Sequence, residues 1–199
     1  MFTGIIQDIG ILDHLANSLY NVKTNLDLSN CKDGSSIACN GVCLTAKNII
    51  RNLDSKDYLY NFEINIGEET LKRTNLQKCI TNKNKINIEK SLTLGDEIGG
   101  HFVYGHIDAT TSLTKIINLE NSWEYYFNKN FGIDNKFITE KASISINGIS
   151  LTIADVYDDH FKISVIDHTF NNTNLKFLKL EDQVNIEFDY LARFITKND

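Results

Sequence analysis

Apolar and polar positions alternate along most of this chain. From Leu19 onward Val22, Thr24, Leu26 and Leu28 fall on one face, as in a half-buried β-strand whose successive side chains point to opposite sides. Tyr58, Tyr60, Phe62, Ile64 and Ile66 alternate more cleanly, an aromatic row read as core. Glu69 to Leu76 breaks the period and fits a short helix or an irregular turn, and Ile86 and Ile88 mark a last strand before the polar Thr93-Leu94-Gly95-Asp96. Several short strands with turns between them are the habit of a small barrel or sandwich.

The same order then returns. Ser36 to Thr45 (SIACNGVCLT) matches Ser143 to Thr152 (SISINGISLT) at six of ten positions without a gap. Asn-Gly in each copy signals a hairpin, because a type I′ turn needs positive φ at both central residues. Phe102-Val103-Tyr104-Gly105-His106-Ile107 stands where Phe2-Thr3-Gly4-Ile5 stood, Trp123, Tyr125 and Phe127 alternate, and so do Phe161, Ile163 and Val165. His168 to Leu175 echoes Glu69 to Leu76, and Val184-Asn185-Ile186-Glu187 echoes Ile86-Asn87-Ile88-Glu89. Matched landmarks in one order indicate a duplicated domain. The expected units are 1–97 and 98–188, with a segment 189–199 that has no counterpart. In that segment Leu191, Phe194 and Ile195 fall at helical spacing behind Asp189 as N-cap, a short amphipathic helix in need of a surface to lie on.

Composition narrows the function. A chain of 199 residues with 42% hydrophobic and 23% charged residues is ordinary for a globular protein. Its net charge of −6, with Lys and Arg scattered, recruits no phosphate backbone, so nucleic acid is not an expected partner. No apolar run approaches a membrane span, and Met1 to Asp8 lacks the basic stretch of a secretory signal, so a cytoplasmic location is expected. Cys31, Cys39, Cys43 and Cys79 then read as free thiols. Cys39 and Cys43 flank a turn, but no second close Cys or His pair completes a zinc site, and no metal is expected.

The differences between the halves locate candidate chemistry. After each Asn-Gly-hydrophobe stands a small residue, Cys43 in one half and Ser150 in the other. A thiol there can act as a nucleophile, although a lone Cys is more often a small buried residue. His101 and His106 lie five apart, on opposite faces if the segment is a strand, which argues against a shared metal. Either can move a proton near neutral pH or serve structurally. Thr45, Thr70, Thr152 and Thr169 supply hydroxyls at matched places. Two similar polar sites suggest two similar ligands, or one held between the halves.

Taken together, Met-Phe-Thr-Gly-Ile-Ile at the start, Asn40-Gly41-Val42-Cys43-Leu44-Thr45, Gly99-Gly100-His101-Phe102 with Gly105-His106, and Gly148-Ile149-Ser150-Leu151-Thr152 resemble the riboflavin synthase α chain over essentially the whole length. The resemblance implies an all-β fold of two tandem six-stranded Greek-key barrels and a short C-terminal α-helix through which subunits form a homotrimer. It implies dismutation of two 6,7-dimethyl-8-ribityllumazine molecules to riboflavin and 5-amino-6-ribitylamino-uracil, without a cofactor, and lumazine synthase as a further candidate partner. A non-catalytic lumazine- or flavin-binding protein of the same fold is the alternative.

Carried over by motif, the first-barrel site takes Gly4, Ile5, Ile6, Cys43, Leu44, Thr45 and Asn65, Ile66, Gly67, Glu68, Glu69, Thr70. The second takes Gly105, His106, Ile107, Lys141, Ser150, Leu151, Thr152 and Ile166, Asp167, His168, Thr169, Phe170, Asn171. Cys43, Ser36 or a bound water would supply the nucleophile, His106 would move the proton at the reacting methyl group, Phe2 would pack near the rings, and Asp189 is a further participant. Asp167 stands where the family usually has proline, and Tyr104 where a smaller residue is common.

Overall fold

The computed structural model describes residues 1–53, 57–132 and 137–195. The first unit runs β1 (Asp8–Ala16), β2 (Leu19–Thr24), β3 (Ser36–Cys39), β4 (Val42–Thr45), β5 (Lys47–Arg51), β6 (Tyr60–Asn65), α1 (Glu68–Arg73), α2 (Leu76–Asn82) and β7 (Lys85–Lys90). The second repeats it with β8 (Ala109–Asn118), β9 (Ser122–Asn128), β10 (Ser143–Ile146), β11 (Ile149–Val156), β12 (His160–Ile166), α3 (Asp167–Asn172), a 3-10 turn at Asn174–Phe177, and β13 (Gln183–Phe188), before α4 (Tyr190–Ile195).

The second unit closes as a six-stranded barrel in the order β10-β11-β12-β9-β8-β13. There β11 serves two neighbours: Ile149 to Thr152 pair with β10, and Ile153 to Val156 pair with β12 past a bulge. The first unit has the order β4-β3-β7-β1-β2-β6-β5, and its two end strands are one stretch of chain interrupted at Ala46. Within β5 the register on β6 shifts between Lys47 and Ile50, where Asn48 adopts a left-handed φ of 48°. One departure from the expected elements is α2, which extends the expected turn by a further helix.

Alternation delivers two cores. Tyr20, Val22, Phe62, Ile64, Ile86 and Ile88 fill the first, and Tyr125, Phe127, Ile144, Phe161, Ile163 and Ile186 fill the second. Both Asn-Gly turns have the expected positive φ, 49° and 78° at Asn40-Gly41 and 49° and 81° at Asn147-Gly148. The two turns meet: a Cβ on Gly41 would lie 2.7 Å from the Gly148 nitrogen, and the reverse holds for Gly148. Only glycine permits that approach.

Around the contact the units are joined by buried asparagines in paired roles. The Asn75 and Asn174 backbone N–H groups donate to Asn185 Oδ1 and Asn87 Oδ1, each at 2.7 Å. Asn185 Nδ2 donates to the Asn40 carbonyl at 2.9 Å, and Asn87 Nδ2 to the Asn147 carbonyl at 3.0 Å. Buried amides satisfied in this reciprocal way fix one mutual orientation, so the internal repeat is also an internal two-fold.

Candidate functional site

The residues ahead of each barrel belong to no strand of their own. Phe2 and Val103 form an antiparallel bridge, each N–H donating to the other's carbonyl at 2.7 and 3.0 Å. From that bridge the two segments diverge, and each crosses to the opposite barrel. Gly4 offers its carbonyl to the Ser150 N–H at 2.8 Å, and Gly105 offers its own to the Cys43 N–H at 3.0 Å. A Cβ on Gly4 would sit 2.7 Å from Ser150 Cβ, and one on Gly105 2.4 Å from Cys43 Cβ. Farther along, Ile6 packs against the second core and Ile107 against the first.

This corrects the grouping expected from the motifs. Gly4, Ile5 and Ile6 lie with Ser150, and Gly105, His106 and Ile107 lie with Cys43. Sequence equivalence says that the two segments do the same job; it cannot say on which of two nearly identical barrels each does it.

On the first barrel, register places Ser36 opposite Thr45 and Ala38 opposite Cys43. Residues two apart share a face, so Ser36, Cys43 and Thr45 line one outer face while Leu44 turns into the core, 7% exposed. Ile66 is likewise core at 1%, so only its backbone is left to meet a ligand. Asn65, Gly67, Glu68 and Glu69 are exposed at the end of β6 and the start of α1, with Thr70 half-buried. Lys47 Nζ reaches Asn65 Oδ1 at 3.4 Å, which ties that end to the strand beyond Thr45. Phe2 is wholly buried with Ala38 and Val103, and Cys43 packs against this cluster. Its ring therefore backs Cys43 from within the cluster. Cys39 and Cys79 are buried, and desolvation pushes both thiols up to about 12, which keeps them inert core residues.

On the second barrel Ser150 and Thr152 take the matching outer positions, opposite Ser145 and Ser143, and Leu151 turns inward. His101 Nδ1 lies 2.7 Å from Ser150 Oγ. Burial pushes the His101 pKa down, partly offset by the Asp189 carboxylate. The motifs include His101 but assign it no site. Asp189 accepts the Leu191 N–H at 3.0 Å at the start of α4. Ile6 and Gln7 form one wall of a crevice of about 350 Å³, with His168, Asn171, Asn172 and Lys176 on the other. Ile166, Asp167 and His168 are exposed around the first turn of α3, while Phe170 stacks on Trp123 at 3.8 Å. Thr169 offers its carbonyl to Thr173 Oγ1. Lys141 is exposed in a left-handed turn, its N–H on the Ile153 carbonyl at 2.8 Å.

A cavity of about 690 Å³ is lined by Thr3, Ile5, Glu89 and the Ser91–Thr93 stretch. Two others share no lining residue with the expected sites: one of about 380 Å³ beside the joining asparagines and one of about 820 Å³ beside Asn21, Arg51 and Asn61.

Two barrels, two matched outer faces and two exchanged segments define a tandem protein of the lumazine-binding kind. The lumazine binding domain family matches the chain twice, over residues 3–91 and 104–189. Riboflavin synthase of Actinobacillus pleuropneumoniae is 35% identical over 98% of this chain and 88% of its own length. That of Bacillus subtilis (strain 168) is 34% identical over 99% and 91%, and that of Schizosaccharomyces pombe 30% over 99% and 93%. On this coverage the chain belongs to the riboflavin synthase family. Its fold is shared by LumP solved with riboflavin (TM-score 0.76, 24% identity) and with 6,7-dimethyl-8-(1'-D-ribityl) lumazine (0.75, 23%), each covering 94% of this chain and 99% of that one.

Proposed function

We propose that the chain catalyses the riboflavin synthase reaction, in which one 6,7-dimethyl-8-ribityllumazine gives a four-carbon unit to another, yielding riboflavin and 5-amino-6-ribitylamino-uracil. The observation that carries this is the pair of matched polar faces, Ser36-Cys43-Thr45 and Ser143-Ser150-Thr152, each completed by a segment from the other barrel. Two copies of one substrate need two similar sites, and holding both rings in register removes much of the entropic cost of a bimolecular step.

In this reading Cys43, Ser36 or a water held there delivers the nucleophile to the acceptor molecule. His106, whose backbone follows the Gly105 that Cys43 holds, moves the proton at the reacting methyl group. Ser150, with His101 and Asp189 beside it, serves the second molecule. Backbone groups of Gly4–Ile6, Asn65–Thr70, Gly105–Ile107 and Ile166–Asn171 meet the ring edges, and Thr45, Thr152 and Lys141 meet the ribityl chains. The units are 1–97 and 98–188. Residues 189–199 act as an oligomerisation segment: the described part, α4, leaves Leu191 exposed, an apolar group suited to a neighbouring subunit in a homotrimer, and 196–199 lie outside the described residues. The enzyme works in the cytoplasm, with lumazine synthase as a further partner. Among the described residues no helix is long and apolar enough to cross a membrane.

The test is to incubate the protein with 6,7-dimethyl-8-ribityllumazine, adding no metal or cofactor, and follow the products chromatographically. Riboflavin with equimolar pyrimidine is the expected result. Tight binding without product would reassign the chain to the non-catalytic binders.

A further inference from the structure

Beyond the Phe2–Val103 bridge the crossing segments belong to no strand, and their backbone N–H groups are held by side chains instead. In each unit the holder is one buried glutamate at the same repeat position. Glu89 on β7 accepts the Thr3 N–H (2.8 Å) and hydroxyl (2.9 Å) on Oε1 and the Gly4 N–H (3.1 Å) on Oε2. Glu187 on β13 accepts the Tyr104 N–H (2.6 Å) on Oε1 and those of Gly105 (2.9 Å) and His106 (3.0 Å) on Oε2. Both side chains are only 3% exposed. Charge-assisted bonds from successive backbone N–H groups to one carboxylate form a rigid cradle. A carboxylate so held dictates where the next carbonyl points.

Those carbonyls belong to the opposite barrel's site. Glu187 fixes Gly105, whose oxygen takes the Cys43 N–H, and Glu89 fixes Gly4, whose oxygen takes the Ser150 N–H. We infer that Glu89 and Glu187 are positioning residues that act crosswise, each seated in one barrel and shaping the ligand site of the other. As a statement about catalysis this rests on the proposed reaction; as a statement about structure it does not. A merely local role predicts the reverse. Register puts Glu89 one strand beyond Ala38, the partner of Cys43, on the first barrel, and puts Glu187 in the same relation to Ser145 and Ser150 on the second. A glutamate that only stabilised its own sheet would disturb the site it neighbours there.

The full-length Glu89→Gln and Glu187→Gln variants separate the two. Glutamine presents an amide NH₂ where backbone N–H groups point, so the cradle loosens. Amide hydrogen exchange at Cys43 and Ser150 is measured by NMR. Crosswise action predicts that Glu187→Gln speeds exchange at Cys43 about tenfold or more while sparing Ser150, and that Glu89→Gln does the opposite. In turnover assays with 6,7-dimethyl-8-ribityllumazine, each substitution should lower kcat by roughly 100-fold, the scale of a misplaced backbone, with partial recovery in Glu→Asp, which keeps the charge. Loosening on the own-barrel side, equally on both, or on neither overturns the inference. Should a Gln variant not fold, the Asp variant of the same residue is read by the same exchange experiment. Because exchange needs no turnover, an inactive wild type would count against the proposed reaction alone.

Discussion

At the scale of single residues, chemistry depends on what a side chain is set against. Cys43 is the half-buried thiol on a candidate ligand face, backed by Phe2 and bonded through its backbone to Gly105. If it supplies the nucleophile, Cys43→Ser should lower kcat about 10- to 100-fold, since a hydroxyl is far less ionised than a thiol, with lumazine affinity within a few-fold of wild type by fluorescence titration. Unchanged turnover would remove Cys43 from the mechanism. His101 gives a pH signature. Burial holds its folded pKa below the ordinary value of about 6.5. Between those two values the unfolded chain binds more protons, so this contribution to stability is present above about pH 6.5 and is lost as pH falls through the folded pKa. Glu89 and Glu187 work in the opposite sense, because burial raises their pKa and their contribution is lost as pH rises through the raised values. The clean measurement is therefore a difference: on going from pH 7 to 5.5, wild type should lose stability relative to His101→Gln in urea unfolding. A constant gap would show that His101 titrates alike in both states.

At the scale of elements, the strands and hairpins were legible because their determinants are local. The period-2 rows of Tyr60–Ile64 and Phe161–Val165 need only neighbours two apart, and Asn-Gly needs only its own backbone freedom. What was not legible is just as particular. Nothing in the alternation distinguishes the separate β4 and β5 from the continuous β11, or shows that β5 shifts register around a left-handed Asn48. Nor does an Asn-Gly turn announce that its glycine will touch another glycine across an interface. Gly41→Ala would bring a methyl to 2.7 Å from the Gly148 nitrogen at a φ of 78°. It should cost on the order of 1–3 kcal/mol from the backbone strain alone, and more from the clash. Thermal unfolding checks this, and a variant as stable as wild type would mean that the two turns can move apart.

At the scale of the whole molecule, the two units behave as halves of one object. The joining asparagines come from both, and each site borrows a segment from the other barrel. If subunits assemble through residues 189–199 and the two lumazine molecules meet between neighbouring subunits, deleting them should give monomers by sedimentation velocity that keep lumazine binding and lose at least 90% of turnover, a loss of about tenfold or more. An intact, active trimer would contradict that assignment.

The amino-acid sequence by itself determined the duplication, the strand pattern, the hairpin turns, the family and the residue types at the sites. These are carried by short-range periodicity and by motifs that repeat without gaps. Only the tertiary structure decided which barrel each crossing segment serves, that Phe2 stands behind Cys43, and that His101 faces Ser150. The reason is degeneracy. Gly4 and Gly105 are both glycine, Cys43 and Ser150 are both small, and either pairing satisfies the local pattern equally well. The choice falls to the geometry around the internal two-fold, where the Phe2–Val103 bridge and the carboxylates of Glu89 and Glu187 send each segment across to the opposite side.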